Sequence, residues 1–127
     1  MKKICLAALL FSSVPASAAG QDYQLVTVAS YLNFYLLNLN ACEDFHPAVR
    51  KEAYAAEQLL YPWLEKLDNR TSGSIDVSLL SAVVQKRRDA LNQQIKDGDF
   101  TLDHCKAVVK LLTGDGLDKT LLKALEK

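Results

Sequence analysis

Residues 49–67 read VRKEAYAAEQLLYPWLEKL. Val49, Ala53, Ala56, Leu60, Trp63 and Leu67 recur at spacings of 4, 3, 4, 3 and 4. That rhythm places six apolar side chains on one face of an α-helix. Arg50, Lys51, Glu52, Glu57 and Gln58 lie off the stripe. Pro62 removes one backbone donor inside the pattern. The stripe keeps its phase across Pro62, so a kinked helix is predicted rather than a chain reversal. Trp63, the single tryptophan, is expected to fill the core.

Just upstream lies LNLNACEDFHPA, residues 37–48, with Cys42, His46 and Pro47. Pro47 suits the first turn of the striped helix. Before it, residues 23–39 are apolar around most of a helical circumference. Leu25, Val28, Leu32, Tyr35, Leu36 and Leu39 make the strongest face, and Thr27, Ser30 and Asn33 lie opposite. Phe34 and Leu37 fall near that polar side, so this helix is central in a bundle or covered by a partner. Val26 to Val28 permit a strand, but the helical pattern runs longer. Asp22 is placed to cap the start.

The first 19 residues, MKKICLAALLFSSVPASAA, have the three parts of a secretory signal peptide. Lys2 and Lys3 precede an apolar run, and small residues follow at 16–18. The run is too short for a permanent membrane anchor. Cleavage after Ala18 or Ala19 is expected, and removing residues 1–19 leaves 108 residues, with 13 basic against 15 acidic side chains. A formal charge of −2 gives no electrostatic basis for nucleic-acid binding. The remaining length, residues 20–127, suits one domain with one core. The double-lysine leader points to the bacterial periplasm.

Cys5 leaves with the leader, so Cys42 and Cys105 remain in a chain bound for an oxidising space. A disulfide is the simplest outcome. It closes a loop of about 63 residues, a stabilisation of about 4 kcal/mol on the chain-entropy estimate. A metal site of Cys42, His46, His104 and Cys105 is the sharper alternative. The adjacent pair His104-Cys105 is awkward for two ligands of one metal, and oxidation consumes the thiolates. No metal or other cofactor is expected. His46 and His104, brought near one another by the disulfide, are candidate pH sensors.

Downstream of the stripe, residues 69–74 (NRTSGS) read as a loop. A third helix is predicted over 76–96 on Val77, Leu80, Val84, Leu91 and Ile95. Its stripe passes between Arg87 and Arg88. These two, with Lys86, either cover apolar surface with their stems or form a basic patch for an acidic partner. Gly98 follows as a stop signal. Thr101 caps a fourth helix with Asp103 in its first turn and Leu102, Cys105, Val108, Val109 and Leu112 on one face. After Thr113-Gly114-Asp115-Gly116, a short helix spans 117–125. Asp115 and Asp118 lack the other ligands of a calcium loop. The expected fold is therefore all-α: a compact bundle of four main helices plus a short C-terminal helix, stapled by one disulfide.

No nucleophile elbow, zincin, phosphate-loop or dinucleotide motif occurs, so no catalytic residue is assigned and an enzyme is not expected. The run Cys42-Glu43-Asp44-Phe45 resembles the opening of small periplasmic acid-stress chaperones, which are exported, helical and singly disulfide-bonded. The likeness covers four residues; the second cysteine lies farther along, and the rest departs from that pattern. In size, helicity and cysteine number the chain is also similar to exported immunity proteins that block effector enzymes, without a shared motif. Neither likeness assigns a family. The leading expectation is a non-enzymatic binding protein, an inhibitor or immunity-type protein, acting on another exported or envelope protein through a helical surface. Phe34, Tyr35, Arg87 and Arg88 are its candidate contacts, since aromatics and arginine concentrate binding energy. An acid-responsive chaperone and a small-ligand or lipid carrier are the alternatives.

Overall fold

The computed structural model describes residues 15–71 and 77–126, with side chains over 23–71 and 78–126. Among the described residues there are six α-helices and no strand. They are α1 (Pro15–Phe45), α2 (Arg50–Gln58), α3 (Tyr61–Thr71), α4 (Val77–Lys96), α5 (Leu102–Thr113) and α6 (Lys119–Leu122). Short 3-10 turns cover Pro47–Val49 and Lys123–Leu125. Residues 1–14 of the expected leader, and 72–76 of the expected loop with the predicted start of the third helix at Asp76, lie outside the described residues. The Val77 side chain of the α4 stripe does too.

All five other helices pack on α1. This explains its poor amphipathicity: a helix surrounded by neighbours has little reason to keep a polar side. Val28, Leu32, Leu39, Leu60, Cys42 and Cys105 are fully enclosed. Each buried leucine contributes roughly 1.5–3 kcal/mol relative to exposure. By length and composition Tyr23–Phe45 is apolar enough to cross a membrane. The bundle buries 39% of the 18-residue apolar window within it.

Helix α1 is longer than the pattern indicates at both ends. Asp22 lies inside it rather than at a cap. It ends at Phe45 because His46 precedes a proline and is pushed out of the helical region, to φ −131° and ψ 79°. The Cys42–Cys105 disulfide joins this end of α1 to the first turn of α5, with Cα atoms 5.8 Å apart.

The stripe of residues 49–67 is observed, but on two helices, so the four-plus-one count of elements is corrected. Gln58 ends α2, and Tyr61 starts α3. The Pro62 ring would meet the carbonyl four residues back, that of Gln58, so α2 stops there. Tight turn bonds bridge the break, Leu59 N–H to Ala56 O at 3.1 Å and Leu60 N–H to Glu57 O at 3.0 Å. Val49, Ala53, Ala56, Leu60 and Leu67 remain buried across it. Trp63 is half-buried against the core, with Lys66 Nζ 4.5 Å from its ring centroid. Glu57, off the stripe, is nonetheless buried. Residues 69–71 extend α3 rather than opening a loop, and Thr71 Oγ1 donates back to Leu67 O at 2.9 Å.

The stop at Gly98 and the cap at Thr101 follow the sequence, whereas the expected tail helix over 117–125 is reduced to α6 and the 3-10 turn after it. Gly98 sits at φ 79°, its N–H bonding Ile95 O while Asp99 N–H reaches Gln94 O. This is a Schellman stop, and the positive φ requires glycine there. Thr101 Oγ1 accepts from His104 N–H at 3.1 Å and starts α5. Asp118 Oδ1 accepts from Thr120 N–H at 2.8 Å and starts α6.

Candidate functional site

One face of α1 is core; the adjoining face is a groove. Tyr31, Phe34 and Tyr35 lie three and four residues apart and so share a side of the helix. Helix α4 runs opposite with Lys86 and Arg87, and Leu121 from α6 closes one end. The groove encloses about 790 Å³, within the range of ligand and anchor pockets. The three rings pack edge to face, with Tyr31–Tyr35 and Phe34–Tyr35 centroids each 5.2 Å apart. Burial, and then the nearby Tyr31, push the Tyr35 hydroxyl pKa up.

Arg87 spans the groove. Its Nε donates to Ser30 Oγ at 2.7 Å, and its guanidinium carbon lies 5.3 Å from the Phe34 ring centroid. That is a cation–π contact. Among the described residues, two cations and no carboxylate line the groove. Phe34, Tyr35 and Arg87 thus come together. Arg88 does not: it is exposed one position further round α4, outside the groove. Tyr31 also receives the Asp118 N–H on its hydroxyl at 2.6 Å, which ties the C-terminal turn to the groove wall.

The two histidines meet at Phe100, beside the disulfide. His46 and His104 ring centroids lie 5.6 and 5.3 Å from that of Phe100. His46 Nε2 donates to Phe100 O at 2.9 Å. His104 Nε2 lies 2.7 Å from Asn38 Oδ1. Asn38 uses its Nδ2 to donate to Phe34 O at 2.8 Å, so Oδ1 is the acceptor and His104 Nε2 carries the proton. Burial, then the charge of His46, hold the His104 pKa below its ordinary value. The two thiols are bonded to each other, so the Cys2His2 alternative is overturned. Among the described residues no three His, Cys, Asp or Glu side chains gather as a metal site would need.

A third cluster joins α1, α2 and α3. The Tyr61 hydroxyl donates to Glu57 Oε2, and the Glu43 carboxyl lies within hydrogen-bonding reach of Glu57. The Glu43 pKa is raised to about 7, chiefly by desolvation, then by the hydrogen bond and charge of Glu57 and by Asp44; Arg50 opposes the shift. The Glu57 hydrogen bond pushes the Tyr61 hydroxyl up to about 12. Sequence reasoning missed this cluster and Asn38. The i, i+4 spacing of Glu57 and Tyr61 is a visible signal, but the approach of Glu43 depends on how two helices pack.

Fold and groove together define a small, disulfide-stapled helical protein with an aromatic, cationic cleft on its central helix. Compared with protein-family models, curated proteins and solved structures, the chain matches none.

Proposed function

We propose that this is a small exported binding protein, of the inhibitor or immunity type, that engages a partner protein in the groove between α1 and α4. The convergence of Phe34, Tyr35 and Arg87 carries this reading. Aromatic walls offer an apolar anchor site, and Lys86 with Arg87 favours an acidic flank on the partner. Residues 1–19 act as the leader and the protein works in the periplasm; the disulfide is compatible with export. Every described groove residue lies downstream of the leader, from Tyr23 onward. The protein needs no cofactor and performs no catalysis.

Affinity capture tests this reading. Immobilised, oxidised protein is exposed at neutral pH to envelope extract and to candidate secreted enzymes. One stoichiometric, salt-resistant partner is expected, with affinity reduced by about thirtyfold or more in Phe34→Ala, the loss typical of a hot-spot residue. A partner retained equally by Phe34→Ala, Tyr35→Ala and Arg87→Ala would place binding elsewhere. An acid-responsive chaperone remains the second reading, favoured by His104, whose charging in acid costs stability. It requires clients to be held after acidification and not at neutral pH.

A further inference from the structure

Glu57 is 5% exposed, in the middle of the corner where α2 gives way to α3. One of its oxygens is satisfied by Tyr61. Among the described residues, its Oε1 and the buried Oε2 of Glu43 meet no donor. Two buried acceptors left without donors are costly, and two carboxylates in contact cannot both stay ionised cheaply. One proton held between the two groups gives both oxygens a partner.

We infer that Glu43 and Glu57 share a single proton, and that this proton fastens the end of α1 to the α2–α3 corner. The joint is then an acid-tightened clasp. The other groups acting on it are Asp44 from α1, Arg50 and Tyr54 from α2, and Tyr61 from α3. Arg50 also donates from Nε to the Glu43 carbonyl at 2.9 Å, so the clasp keeps one tie when the proton leaves.

The sign follows from linkage. A carboxyl whose folded pKa is raised binds its proton more tightly in the folded state, so its contribution is complete below the unfolded pKa of 4.5 and lost as pH rises through about 7. Acidification therefore strengthens this joint. That is the opposite of what an acid-triggered opening would need, so the clasp bears on the choice between the two functional readings without depending on either.

The test is denaturant unfolding of the oxidised protein at pH 8 and pH 6, beside Glu43→Gln and Glu57→Gln. Gln supplies a permanent donor of nearly the same shape. Relative to either variant, the wild-type folding constant should gain several-fold, to at most about tenfold, from pH 8 to pH 6, the opposing His104 contribution being common to all three proteins. Both variants should lack that gain. A second reading needs no variant: an infrared band of a protonated carboxyl should persist in the folded wild type at pH 6 and vanish in Glu43→Gln. An identical pH response in all three proteins, or absence of the band, overturns the proposal. So does stabilisation at pH 8 by calcium, magnesium, manganese or zinc that Glu43→Gln abolishes, because a cation rather than a proton would then bridge the oxygens.

Discussion

Asn38 shows how much a single side chain can organise. It is 2% exposed, and each end of its amide is used. Replacing it with alanine leaves the His104 Nε2–H facing an empty site. Urea unfolding at pH 7.5 should register a loss of about 1–3 kcal/mol. His104 carries its own pH signature. Because its folded pKa is lowered, its contribution is present above the ordinary value of 6.5 and is lost as pH falls through the folded value. Between pH 7.5 and 5, His104→Gln should therefore lose less stability than the wild type. That term runs against Glu43, so the two single variants should tilt the pH profile in opposite directions. Both histidines were legible as a pair from their closeness to the cysteines. Asn38 was not, because it lies amid leucines on α1 and only the docking of α5 gives its Oδ1 a partner.

At the scale of elements, caps and breakers were the most readable signals. Thr101 and Gly98 act through atoms three to five residues away, and such short-range chemistry survives in sequence. Thr101→Ala should cost about 1 kcal/mol in chemical unfolding. Gly98→Ala meets no neighbouring atom, so its cost, also about 1 kcal/mol, comes from the positive φ alone. Pro62 is the instructive miss. The apolar rhythm through it was right, since Leu60 and Leu67 are both buried. Rhythm reports which face is covered, not whether the backbone is continuous. Pro62 stands at the second residue of α3, where no intrahelical donor is required. Pro62→Ala should then shift stability by less than about 1 kcal/mol. A proline within one unbroken helix would instead yield about 3 kcal/mol on removal.

For the molecule as a whole, one apolar helix serves two purposes. The packed face of α1 holds the bundle, and its aromatic side borders the groove. From sequence these merged into one poorly amphipathic segment, because neither neighbour could be positioned. The disulfide was the reverse case: with Cys5 set aside, only one pairing within the chain was possible. Reducing it, or replacing Cys42 and Cys105 with alanine, should cost about 4 kcal/mol in denaturant unfolding, a large share of a small domain's stability. The same bond also sets a timetable. A chain emerging from its channel N-terminus first presents Cys42 sixty-three positions before its partner. The central helix and the corner beyond it appear while that thiol is still alone. The covalent link therefore cannot close until every element from the central helix to the start of α5 has emerged. A nascent chain arrested short of Cys105 stays open to any stray oxidant.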